Sequence, residues 1–242
     1  EMTTATSAVQ PFESFVPPLK PAFDYLLDER GRPRAAARIP GEGPTWLTGY
    51  VSLPDANGTE HLVATYRKIQ PPLEVYETGL CVWDEDQQLF EPLKVTWRKQ
   101  DGGEPDPLVV DGHPAFWTDQ NGQRWVMFGN PLPRVRVRAT FEDWQQPSRW
   151  EPLTPQSHLT DAAGGGKVEP HSGSIAWNAF RRRWVTVFME KFGDSSVFGE
   201  LWYAEADAPT GSWGPCVKVL SHDNYTFYNP RLHPEVTPDG SP

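Results

Sequence analysis

Three stretches of this chain repeat one pattern, in which an alternating apolar run meets a polar turn and returns as a second apolar run. They are WLTGYVSLPDANGTEHLVATYRKI from Trp46, PAFWTDQNGQRWVMFGN from Pro114 and SGSIAWNAFRRRWVTVFMEKF from Ser172. Period-two alternation is the mark of a half-buried strand, and turns rich in Asp, Asn and Gly close hairpins. Each stretch is followed by a second pair of runs ending in an aromatic-plus-proline phrase: GLCVWDEDQQLFEPLKV, VRVRATFEDWQQPSRWEPLT and LWYAEADAPTGSWGPCVKVL. The equivalent positions Val51, Ala115 and Ile175 stand 64 and 60 residues apart. Four strands repeating at that interval read as the blade of an all-β propeller carrying long loops. The expected blades span about 46–100, 110–155 and 168–220, within a propeller domain over 23–242.

A fourth start, YNPRLHPEVTPDGSP, begins at Tyr228 and reaches its first turn at Asp239-Gly240, giving a partial blade over 225–242. Three blades and a fraction do not close a ring, because propellers need about four to eight blades and an open ring leaves unpaired sheet edges. The expectation is therefore an incomplete ring, from a chain that is a fragment of a longer protein. The alternative is that the hairpin FDYLLDERGRPRAAARI helps to close it. Residues 1–22 are Pro-rich and polar and read as an extended strap or tail.

Composition agrees with short strands: 30 aromatic side chains accompany 26 Pro and 20 Gly. The net charge of -10 opposes a nucleic-acid partner, since the phosphate backbone would be repelled. No run approaches the roughly 20 apolar residues of a spanning helix, and the N-terminus lacks a charged-then-apolar leader. Cys81 and Cys216 are far apart and have no metal-site spacing; they read as two buried free thiols or as one long-loop disulfide.

The chemistry gathers just ahead of the first strand of each repeat. In VEPHSGSI, Glu169 and His171 flank Pro170 immediately before a strand. In a propeller the innermost strand of each blade lines the central channel, so residues at its start converge on an axial pocket. Asp111 and His113 come from the second blade, Glu169, His171 and Ser172 from the third, and Tyr228, Asn229, Arg231 and His233 from the fourth. Trp46 would offer a stacking platform, and Arg231 and His171 hydrogen-bond donors. Asp, Asn and backbone oxygens in the channel would suit one structural Ca2+, and no other cofactor is expected. Plainer readings stand beside these: Glu169 as a solvated loop carboxylate, the histidines as strand caps, Asp111 as a turn residue with Gly112. Arg181 and Arg182 of RRRW read as surface turn residues, GGG at 164–166 as no phosphate loop, and Glu200 as an interior charge needing a partner such as an Arg.

These residues resemble a family. DGHPAFWTDQNGQRWVMFG is similar to the inner hairpin of a blade in the five-bladed propeller glycosidases, the clan that includes glycoside hydrolase families 43, 32 and 62. VEPHSGSI resembles the place where those enzymes carry a Glu-Gly-Pro motif with the acid catalyst. The stretch from His171 to Pro234 resembles a group of functionally uncharacterised bacterial secreted propeller proteins, and residues 40–160 match more loosely. The resemblance implies a five-bladed propeller, a secreted or periplasmic location, and a monomer acting on polysaccharide or oligosaccharide. It also implies Glu169 as the acid with Asp111 tuning it. The departure is in the first blade, where the family places an Asp base and GEGPTWLTGYVSL offers only Glu42. Two readings follow, a glycoside hydrolase and a noncatalytic glycan-binding or scaffold propeller. Two carboxylates facing each other across about 5 to 10 Å would select the first.

Overall fold

The computed structural model describes residues 5–6, 23–103 and 108–234. Within them the three repeats become three four-stranded antiparallel sheets, each a meander in chain order. The first contains β3 (Thr45–Pro54), β4 (Glu60–Gln70), β5 (Glu74–Asp84) and β6 (Leu89–Arg98). The second contains β7 (Ala115–Thr118), β8 (Arg124–Gly129), β9 (Pro133–Arg138) and β10 (Glu151–Pro152). The third contains β13 (Pro170–Asn178), β14 (Arg183–Glu190), β15 (Glu200–Ala206) and β16 (Val217–Ser221). The protein is all-β, and no sheet closes on itself among the described residues. Nor is any described helix long and apolar enough to cross a membrane.

One turn device recurs. In DERGR, DANGT and DQNGQ the leading Asp carboxylate accepts the amides two and four residues on, at Asp28, Asp55 and Asp119. This arrangement lets the side chain substitute for a backbone turn, and the glycine in each takes a positive φ. The β13–β14 hairpin does without glycine: Asn178 accepts from the Arg181 amide, and Arg182 adopts φ 52°. Arg181 and Arg182 are exposed there, as the sequence suggested, with Arg181 paired to Glu205.

The strands explain their own patterns. First strand β3 alternates between buried and outward residues, whereas β14, between two neighbours, is buried on both faces over most of its length. The last strand β16 is exposed throughout. Between the second and third sheets lies a small hairpin, β11 (Leu159–Thr160) with β12 (Lys167–Val168), whose turn holds the three glycines. A helical turn, α1 (Phe141–Trp144), separates β9 from β10; Thr140 caps it by accepting from the Asp143 amide.

By contacts the described chain divides into two units, one of 5–6, 23–103, 108–111 and 137–150, the other of 112–136 and 151–234. The first packs Leu47, Ala64, Tyr66, Cys81 and Phe90 with Ala36 and Ile39. The second packs Met127, Ile175, Trp184, Phe188, Trp202 and Cys216 among others. Both cysteines are buried free thiols, which resolves the choice left by sequence.

The second run of the expected hairpin FDYLLDERGRPRAAARI runs along the first sheet's own outer strand. Ala36 and Arg38 exchange backbone hydrogen bonds with Phe90 on β6, and β2 (Asp24–Tyr25) pairs with β1 (Ala5–Thr6). Residues 222–233 carry no strand or helix. The remainder of the 1–22 strap and the Asp239-Gly240 turn lie outside the described residues.

Candidate functional site

Eight of the eleven residues singled out by sequence fall in the second unit, and five of them come together. Gly112 takes φ 86°, and a Cβ there would overlap the Gly129 carbonyl, so only glycine fits this turn. The close approach lets the His113 amide donate to that carbonyl at 2.9 Å, fixing His113 just ahead of β7. On β13, Ser172 is buried, and its hydroxyl lies 3.0 Å from Asn130 Oδ1 and 2.8 Å from Asn229 Oδ1. A hydroxyl has one proton, so the two amide oxygens share one donor. Asn130 Oδ1 also accepts the Gly173 amide. Two residues along the strand, the Ser174 hydroxyl accepts the Leu232 amide at 2.7 Å. Residues 229–232 are thus stitched to the buried face of β13, at side chains of the same parity.

Arg231 lies in this segment and His233 directly after it, both close enough to act electrostatically on His113. Burial, then Arg231 and His233, hold the His113 imidazolium below the ordinary histidine range. A neutral imidazole offers one donor and one acceptor, which suits a hydroxyl group. Tyr228, at the head of this segment, is 85% exposed.

Glu169 and His171 sit beside it at the start of the same strand. Pairing between β13 and β14 slips between Pro170 and Ser172, so His171 is a bulge residue, and bulges re-aim side chains. Its ring stacks on Phe198, with centroids 4.3 Å apart and planes 8° from parallel. Burial and the Lys191 charge lower its pKa, against the opposing pull of Glu169. The Glu169 carboxylate, 57% exposed, forms an ion pair with Lys191 at 3.0 Å.

The first unit holds the other three. Trp46 stands opposite Arg67 in the β3–β4 ladder, and Arg67 forms an ion pair with Asp111. Asp111 follows Val110, whose carbonyl accepts from the buried Thr65 hydroxyl at 2.6 Å. Glu42 is exposed in the loop before β3, its backbone carbonyl accepting from Tyr76. Among the described residues no group of three or more His, Cys, Asp or Glu is placed to hold a metal ion.

Sequence reading overlooked Asn130, Arg67 and Glu190. Asn130 directly follows β8 and precedes Pro131, a polar residue just beyond a buried strand. Arg67 faces the Trp46 already singled out across the ladder. Glu190 shares the buried third sheet with Glu200, whose need for a partner was legible; the partners are Lys218, at 2.8 Å, and Glu190 rather than an arginine. No protein-family model matches the chain, and no curated protein matches it either.

Proposed function

We propose that the three sheets are blades of a five-bladed propeller and that the protein, monomeric and secreted or periplasmic, binds polysaccharide or oligosaccharide at the start of β13 without cleaving it. The observation that carries this reading is the network of Ser172, Asn130 and Asn229 beside His113, Arg231 and His233. Amides, imidazoles and a guanidinium are the groups that exchange hydrogen bonds with sugar hydroxyls, and His171 on Phe198 adds a ring face. The equal strand order of the three sheets and their 60- to 64-residue spacing support the blade assignment.

Binding is favoured over hydrolysis because two of the three carboxylates singled out for catalysis, Glu169 and Asp111, are engaged by cations, while the third, Glu42, is exposed in the loop before β3. Glu169 is paired with Lys191 and Asp111 with Arg67. Glycosidic cleavage needs one carboxyl group that donates a proton and a second that acts as base or nucleophile. An ion pair uses the carboxylate form. A calorimetric and array screen of polysaccharides and aryl glycosides tests the reading, with Arg231→Met and Glu169→Gln in parallel. Saturable binding should weaken about tenfold in Arg231→Met, the loss of a hydrogen bond to a charged donor, and survive in Glu169→Gln. Sugar release by the wild type that vanishes in Glu169→Gln would make the protein a hydrolase, and absence of any glycan binding would overturn the reading.

A further inference from the structure

Glu200, on β15, is 1% exposed, and the β14–β15 register that sets Met189 against Leu201 brings Glu190, at the end of β14, beside it. Two acids side by side around the Lys218 ammonium repel each other when both are charged, and one proton held between them removes that repulsion. The rest of the surroundings is fixed. Glu200 Oε1 accepts from Lys218 Nζ at 2.8 Å and from the Ser195 amide at 3.3 Å, while Glu190 Oε2 accepts from Trp202 Nε1 at 2.9 Å. Gly193 passes so close that a Cβ there would sit 2.8 Å from Glu200 Oε2. Loop 191–199 is therefore folded over the carboxyl pair, with its Ser195 amide as a direct ligand of Glu200.

The same loop reaches the proposed site. Phe198 stacks on His171, and its carbonyl accepts the Phe227 amide. Ser196 donates toward the carbonyls of His222 and Tyr225, and the Gly199 carbonyl accepts the His222 amide. The carboxyl pair thus holds the loop, and the loop holds both His171 and the segment leading to Asn229 and Arg231.

We propose that Glu190 and Glu200 share one proton and latch loop 191–199, so that losing the proton frees Phe198 from His171 and lowers the affinity of the site. The link to affinity rests on the glycan reading, whereas the latch does not. Burial, then the hydrogen bond and charge of Glu200, push the Glu190 carboxyl up to about 7. For Glu200, burial alone would raise the value, but Glu190 and Lys218 outweigh it and lower it. The charged and titratable groups around the pair are Lys218 from β16, Lys191 and Asp194 from the loop, and the Cys216 thiol, itself near Asp161. Glu169 and His171 lie beyond Lys191, and His222 and Asp223 belong to the segment the loop grips. Above neutrality two carboxylates would face a single close ammonium, and their repulsion opens the loop.

The experiment is amide hydrogen exchange of the full chain between about pH 5 and about pH 9, corrected for intrinsic exchange. Opening releases a proton only while the closed pair still holds one, so protection in residues 195–199 and 222–227 falls by up to about tenfold per pH unit as pH rises toward the pair's titration and levels off above it. Glu190→Gln keeps an acceptor for Trp202 and a donor for Glu200 but cannot titrate, so its protection should be flat; Asp194→Asn, an exposed loop carboxylate outside the pair, should retain the slope. Carboxyl carbon shifts of the wild type, which should show a single step near neutrality, give a readout that needs no variant. A flat wild-type profile, or an equal slope in Glu190→Gln, overturns the latch. Glycan affinity at about pH 6 and about pH 9 completes the test. PH-independent binding beside a sloping loop overturns the link to the site, and no binding at either pH beside a sloping loop overturns the glycan reading while the latch stands.

Discussion

Phe188 and Phe192 are four residues apart, and a substitution at each should separate core from surface. Phe188 lies on β14 with 0% exposure, packed in the second unit's core with Trp184 and Trp202, and its backbone abuts Gly173 of β13. Phe192 is 71% exposed, at the start of the loop that follows. Full burial of a phenylalanine is worth about 1.5–3 kcal/mol of transfer free energy, and a cavity that β13 and β15 cannot fill adds to the loss. Phe188→Ala should therefore cost about 3–5 kcal/mol, whereas Phe192→Ala should stay within about 0.5 kcal/mol. Urea unfolding followed by tryptophan fluorescence measures both from the shift in midpoint at unchanged slope. Equal losses at the two positions, or a loss below about 1.5 kcal/mol for Phe188→Ala, would mean that β14 is not buried on both faces and would refute this core.

Three further outcomes are expected. Thr65→Val keeps the side-chain shape but strips the buried Val110 carbonyl of its hydroxyl donor, and should lower stability by about 1–3 kcal/mol in urea titration. The Asp55 carboxyl is held below its ordinary range by the Thr59 amide, then by His61 and the Asn57 amide. A lowered folded pKa contributes stability that is present above about pH 4 and is lost as pH falls through the folded value, so Asp55→Asn should flatten the acid limb of a melting-temperature profile. Burial raises both thiols, Cys216 to about 11, so a thiol reagent at about pH 8 should label neither cysteine in the native protein and both after unfolding.

The strands were legible because their period is local. Alternation in WLTGYVSLP and the Asp-led turns could be read without knowing what they pack against, and the four-strand count of each repeat follows from them. What escaped reading depends on partners distant in sequence. The β11–β12 hairpin has strands of two residues each, too short for any periodicity to register. Helical turn α1 did carry a signal, Thr140 three residues ahead of Asp143, but it sits inside a run that otherwise reads as strand. In the site, His113 and Ser172 were found because they precede or open first strands, whereas Asn130 matters only because Ser172, 42 residues later, comes to rest against it. Glu190 shows the same limit: an acid at a strand end looks solvated until Glu200 is laid beside it.

The unequal spacing of the repeats has a consequence for how such a chain can vary. Each sheet has four strands, yet strand lengths and connections differ: α1 intervenes in the second sheet, and loop 191–199 in the third. Closing a longer loop costs only a logarithmic increment of entropy, about 0.6 kcal/mol per doubling of its length. One residue inserted within β14 would instead turn every later side chain of that strand to the opposite face. Descendants of this chain can therefore gain or lose segments at the exposed Gly102-Gly103 connection while keeping their ladders, and a reporter peptide placed there would be tolerated for the same reason, whereas the β9–β10 connection is anchored by the fully buried Trp144.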